Sequence, residues 1–349
     1  MPLRCQKFFA AKSIAFCLRK LFRRSCQNSS VGTALVSDES WVVVDGNQTS
    51  QTAEPLVNED TEPQPADAIQ QPPVPPNCSR LQSGDIRILD TCPARAGAFT
   101  DVWDGFLAGD RVAIKSYRLC STTDPTQARM RFYKEALACS LLSHQNIVPF
   151  RAAYTTLEHP LALVYDFMEH RSLKEYLKDG GIKRVPVLAD VAQGLFHMHD
   201  LGIIHGNLKT NNILIDLNGT AHIAGLGSAF VPSQNHAAWS EMDVELLFYG
   251  TAPELMCPRP PGSRIRTTKE CDIYAFALLA WELFAERVPF SDRHHLAAIH
   301  LLANGTRPLR PLHPELSDEV WNMIEKCWHN DPAHRLSIKD VLAILRAEI

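Results

Sequence analysis

Apolar positions recur along this chain with two distinct periods. Arg111 to Tyr117 (RVAIKSY) is rich in β-branched residues and bounded by Gly109 and Asp110, which predicts a short strand. Ala162 to Met168 is a second apolar, strand-like run. Between them Phe132, Ala136, Cys139 and Leu142 recur at helical spacing over residues 126–142, and Val187, Leu188, Val191, Leu195 and Met198 do so further on. Residues 273–284 are apolar almost all round, which predicts a buried helix. Asp216-Leu217-Asn218-Gly219 reads as the turn of a β-hairpin. Strands lead and helices follow in a folded region that begins near residue 85.

Ahead of that region the pattern changes twice. Residues 1–37 carry Arg4, Lys7, Lys12, Arg19, Lys20, Arg23 and Arg24 and no acid. In helical projection Phe8, Ala11, Ile14, Ala15, Leu18, Leu21 and Phe22 share one arc, while Phe9 and Phe16 intrude on the charged face. The segment reads as a disordered basic tail, a mitochondrial presequence, or a helix lying on an anionic membrane surface, with Cys5, Cys17 and Cys26 placed to carry acyl chains. From Asp38 to Asp85 the balance inverts: nine acids stand against Arg80 alone, with seven prolines that include Pro72-Pro73-Val74-Pro75-Pro76. Residues 38–84 therefore read as an extended, disordered linker that cannot bury enough apolar surface to offset chain entropy. The proline run also reads as a ligand for a proline-recognition domain.

Charge and composition narrow the function classes. A net charge of −4 with 45% apolar residues lacks the strongly basic face that nucleic acid requires, so no nucleic-acid partner is expected. No run approaches the roughly 20 apolar residues of a membrane-spanning helix. The ten cysteines include no pair at zinc or redox spacing, which points to reduced, structural thiols and an intracellular setting. The cytoplasm is the working compartment, with mitochondrial or membrane-peripheral placement left open by residues 1–37.

The polar residues of the folded region form a spaced series. Val112-Ala113-Ile114-Lys115 is followed twenty residues on by Glu135, nine before His144 in EALACSLLSHQNIV. His205 to Leu214 reads HGNLKTNNIL, and Ile223 to Gly227 reads IAGLG. Ala252-Pro253-Glu254, Asp272 in CDIYAFALLAWELF, and Arg335 after Trp328 complete the series. In order and spacing these segments resemble the eukaryotic protein kinases over essentially all of residues 85–349. The wording around Trp281, Glu282, Pro289, Phe290 and Trp328 is most similar to the tyrosine-kinase-like branch.

The resemblance implies an α+β, two-lobed kinase-like fold: a small antiparallel-sheet lobe with one main helix, and a larger, mainly helical lobe joined to it near Met168. It implies that Lys115 and Glu135 pair to align ATP, and that Gly97 lies in the phosphate-covering loop. Val102, Ala113 and Leu214 would enclose the adenine, Met168 would face its edge with backbone, and Tyr165 would close the rear. Lys209 and Asn212 fall in register with the catalytic loop, and Asp272 would support that loop from below. Glu254 and Arg335 would form a buried ion pair.

Several positions depart from the family pattern. Asn207 stands where the family has the aspartate that accepts the substrate hydroxyl proton, and Gly206 stands for the neighbouring arginine. Gly225 replaces the metal-binding aspartate, so only Asn212 remains as a magnesium ligand and magnesium binding is expected to be weak or absent. Arg95 and Thr100 replace the outer glycines of the phosphate loop, with Arg95 expected in solvent or on a phosphate. The reading is a kinase-fold signalling or scaffold protein, a pseudokinase that retains ATP binding with absent or very weak phosphoryl transfer to protein. The alternatives are an active, atypical kinase acting on Ser, Thr or Tyr of a protein substrate, and an interaction module that takes no nucleotide and holds a protein partner through its activation segment between Leu226 and Tyr249 or through its exposed lobes.

Overall fold

The computed structural model describes residues 79–81, 84–97, 99–119, 125–156, 158–232, 249–256 and 267–349. The readings of residues 1–37, of the proline run at 72–76 and of most of the segment between Leu226 and Tyr249 lie outside the described residues.

Among the described residues, seven strands build one sheet: β1 (Arg80–Leu81), β2 (Ile86–Ile88), β3 (Arg95–Ala96), β4 (Thr100–Leu107), β5 (Asp110–Tyr117), β6 (Phe150–Tyr154) and β7 (Ala162–Asp166). The order is β1-β6-β7-β5-β4-β2, with β3 also pairing with β4, on the side that β2 occupies. All pairs are antiparallel except β1 with β6. The sheet thus begins at Arg80, inside the stretch whose composition reads as linker, because backbone pairing is indifferent to the acidity around it. Alternation along β5 turns Val112 and Ile114 into one core layer with Ile86, Tyr154 and Val164. The other face carries Ala113, Lys115 and Tyr117 toward α1 (Pro125–Leu141), whose Phe132 and Ala136 pack with Tyr117 and Leu163.

The second lobe is mainly helical. β8 (Arg171–Ser172) leads into the short α2 (Leu173–Tyr176), followed by α3 (Arg184–Asp200), then β9 (Ile213–Ile215) and β10 (Ala221–Ile223) in a small antiparallel sheet with β8. After them come α4 (Pro253–Met256), α5 (Lys269–Ala285), α6 (His295–Ala303), α7 (Asp318–Cys327) and α8 (Ile338–Ala347). α5 is buried from Cys271 through Trp281 and again at Leu283 and Phe284, as an all-round apolar helix must be. The architecture is the two-lobed α+β kinase fold. No helix among the described residues is long and apolar enough to cross a membrane.

Candidate functional site

Lys115 lies two residues before Tyr117 on the face of β5 that looks at α1, and Glu135 projects from the buried side of that helix. Lys115 Nζ donates to both Glu135 carboxylate oxygens at 2.7 Å. Two further donors converge on the same carboxylate: Tyr117 Oη on Oε2, and Tyr165 Oη on Oε1 at 2.9 Å. Glu135 is only 1% exposed, and burial works against its charge. Lys115 and the two hydroxyls outweigh that burial and hold its carboxyl below the ordinary glutamate range. Both tyrosines are pushed well above the ordinary phenol range, first by burial and then by neighbouring groups that include Glu135. Sequence reading placed Tyr165 at the rear of the pocket without finding its bond to Glu135. It missed Tyr117, although the two-residue strand period already put that ring beside Lys115.

The opposite end of the cleft is built from the loop between α3 and β9. Asp272, at the start of α5, accepts from the backbone N–H groups of His205 and Gly206, both at 2.8 Å, and lies 2.9 Å from His199 Nε2. His205 Nε2 contacts the Ala224 carbonyl at 3.0 Å, tying the loop to the segment after β10. Gly206 takes φ +73°, which glycine adopts without steric penalty. Asn207 Oδ1 is buried with no donor among the described residues, so it can accept a hydroxyl hydrogen bond. As an amide it cannot take the proton. Asn212 Nδ2 donates to the Asn207 carbonyl at 2.7 Å.

Gly225 stands against that carboxamide with φ +77°. A Cβ there would meet Asn212 Cγ at 2.7 Å and Oδ1 at 2.8 Å, so Asn212 occupies the space a side chain at position 225 would need. Asp216 turns away, accepting from the N–H groups of Asn218 and Thr220 at 2.9 and 2.8 Å within the β9–β10 turn.

The cleft between these ends measures about 390 Å³ and is lined by Gly97, Lys115, Asn207, Lys209, Asn212 and Gly225 among others. Its only carboxylates among the described residues, Glu135 and Asp272, are both engaged as described. The described lining residues therefore do not fit a magnesium ion, which needs free anionic oxygen ligands. No group of three or more His, Cys, Asp or Glu among the described residues could hold a metal. Lys209 is held below the ordinary lysine range by burial and by the like charges of Lys115 and Lys174. Converging cations without free acids fit phosphate.

Val102, Ala113, Met168 and Leu214 do not line this cavity. Val102 pairs with Lys115 across β4 and β5, Ala113 pairs with Tyr165 across β5 and β7, and Leu214 sits in β9 opposite Ser172. Met168 is buried at the lobe junction, where its carbonyl accepts from Arg171 N at 3.0 Å. Arg95 faces a carboxylate, with 33% of its side chain still exposed. Its Nη2 approaches Glu175 Oε2 of α2 to 2.7 Å, close without the alignment of a hydrogen bond. Since Arg95 pairs with Val102 on the neighbouring strand, the contact ties the β3–β4 hairpin to the larger lobe. Below the cleft, Arg335 meets Glu254 in a two-point pair at 2.7 and 2.8 Å.

Residues 94–345 match the profile of the family described as protein tyrosine and serine/threonine kinase. The chain is similar to serine/threonine-protein kinase STY17 of Arabidopsis thaliana, with 29% identity over 259 residues, 71% of this chain and 42% of the relative. It is 27% identical over 260 residues to serine/threonine/tyrosine-protein kinase HT1 of the same plant, covering 72% of this chain and 63% of that one. Serine/threonine-protein kinase mos of Patiria pectinifera is 28% identical over 264 residues, 72% of each. The chain thus spans less than two thirds of the length of the first two relatives.

Proposed function

The chain belongs to the protein tyrosine and serine/threonine kinase family, and we propose that within it this protein is a signalling or scaffolding pseudokinase that holds ATP without magnesium and transfers phosphate very weakly or not at all. The observation that carries this reading is Gly225, which offers no carboxylate to a metal and stands with the Asn212 carboxamide in the space a side chain would need. Asn207 adds a second loss, since removing a general base costs roughly 10²- to 10⁴-fold in typical enzymes.

ATP, when bound, supplies the transferable phosphoryl group. Lys115, Lys209 and the backbone at Gly97 would hold its phosphates, and Glu135 fixes Lys115. Val102, Ala113 and Leu214, which lie outside the cleft as it stands, would enclose the base, and Met168 would meet its edge. Asn207 can orient a hydroxyl but leaves its proton in place. The Arg95–Glu175 contact must open for the base to seat. The partners are proteins, and no nucleic-acid role is supported. Intracellular placement rests on the cysteine pattern.

Titration of the full chain with ATP, in magnesium or EDTA, tests the proposal by thermal melting and γ-phosphate transfer in the same samples. Saturation near 100 times Kd should stabilise the fold by about 2.7 kcal/mol in either condition. Transfer should be undetectable. Transfer that disappears in Lys115→Ala would establish the active, atypical kinase instead. Absence of stabilisation would remove nucleotide from the reading and leave an interaction module. The double variant Asn207→Asp/Gly225→Asp should gain transfer if Asn212 moves aside.

A further inference from the structure

Residues 307–314 read Arg-Pro-Leu-Arg-Pro-Leu-His-Pro, a three-residue repeat of basic residue, proline and leucine that ends on His-Pro. Proline fixes its own φ and drives the residue before it to extended backbone. Six of the eight positions, all but Leu309 and Leu312, are thereby confined by sequence alone. Three residues per turn is also the period of the polyproline II helix, so each position of the repeat keeps to one side. Residues 306–313 are neither helix nor strand in the structure.

The first position of each repeat turns onto the fold. Arg307 donates to the carbonyls of Trp328 and Leu302 at 2.7 and 2.8 Å, with its guanidinium over the Tyr274 ring. Arg310 donates to the Leu316 carbonyl at 2.8 Å and pairs with Asp318, and the His313 ring lies 5.6 Å from that of Phe284. Trp281 Nε1 fixes the backbone between them by donating to the Leu309 carbonyl at 2.9 Å. The third position faces water: Leu309 is 89% and Leu312 104% exposed, the highest of the large apolar side chains among the described residues. Pro308 is buried, Pro311 half-buried and Pro314 exposed, so the apolar outward edge consists of Leu309, Pro311, Leu312 and Pro314.

A single exposed leucine needs no explanation. Two at i and i+3, on a segment locked by prolines and anchored by its arginines, form a fixed apolar edge that loses little freedom when covered. Strand addition is excluded as the mode, because prolines at every third position remove the N–H groups a ladder needs. We propose that residues 307–314 are a docking ridge for a proline-recognition domain, whose aromatic-lined groove takes a preformed extended segment and seats Leu309, Pro311 and Leu312. The ridge is independent of nucleotide.

An array of purified SH3 and WW domains, probed with the full chain, tests this. Two variants accompany it: Leu309→Ala/Leu312→Ala, and alanine at Pro72, Pro73, Pro75 and Pro76. At least one domain should bind, losing at least tenfold in affinity with the leucine variant and less than threefold with the proline variant. Because both leucines are exposed, the leucine variant should melt with the parent chain, and Leu312→Asp supplies a second disruption at the same edge. Failure of every domain to bind overturns the proposal. So does a loss that follows residues 72–76, or a dimer in sedimentation that the leucine variant dissolves while no domain binds.

Discussion

The two ends of one cleft have been built to opposite specifications. At the sheet end, the Glu135 carboxylate is met by Lys115, Tyr117 and Tyr165, more donors than an ion pair requires. At the loop end, amides and glycines stand where charge would serve chemistry: Asn207, Asn212 and Gly225. Charge has nonetheless been kept in that lobe where packing depends on it, in the Glu254–Arg335 pair and in Asp272 beneath the loop. A buried carboxylate with satisfied partners holds chain segments in register whether or not phosphate is transferred, whereas a carboxylate left without protein partners in the cleft would serve only the reaction.

The sharpest way to break this contrast is to remove the overbuilt end. Glu135→Ala leaves a cation and two buried hydroxyls without their acceptor, and urea unfolding should show a loss of about 3–5 kcal/mol. Next in size, Tyr117→Phe and Tyr165→Phe should each cost about 1.5–3 kcal/mol, as hydrogen bonds to a charged group do. Their double variant should exceed the sum, because each single variant keeps the other hydroxyl on Glu135 whereas the double leaves Lys115 as the last of the three donors. Acid probes the same end. The Glu135 and Glu254 carboxyls are both depressed in the folded chain, so their contribution is present above the ordinary value of 4.5 and is lost as pH falls below it. Melting in a pH series should show that decline, and Glu135→Gln should flatten part of it.

At the loop end, Gly225→Asp places a side chain at φ +77° against Asn212, with a backbone cost of roughly 1–2 kcal/mol. Adding Asn212→Ala should recover the part due to crowding and leave the backbone part, a split that thermal melting can read. The smallest effect belongs to Arg95→Ala. A partly exposed pair contributes at most about 1 kcal/mol to stability. Stopped-flow mixing with a fluorescent ATP analogue should still show faster association once the tie to Glu175 is gone.

Much of the architecture was legible because it rests on local periods. Residues 111–117 form β5, residues 126–142 fall on α1 within a residue at each end, and the all-round apolar run is the buried α5. The start of the sheet at Arg80 was not legible, since a two-residue parallel pairing leaves no periodic trace. Arg95 was read as either solvated or phosphate-bound, because its partner lies eighty residues away in α2.

The order and spacing of Lys115, Glu135, Asn207 and Gly225 could be read from the chain because motif spacing is a property of the chain itself, and so could the absence of side-chain acids at the last two. Tertiary structure alone decided that Tyr117 and Tyr165 would share one carboxylate, that Asn212 would fill the space beside Gly225, and that Leu309 and Leu312 would face water. Each of these outcomes depends on which distant side chains meet, and that is set by how helices and sheet pack rather than by any local pattern.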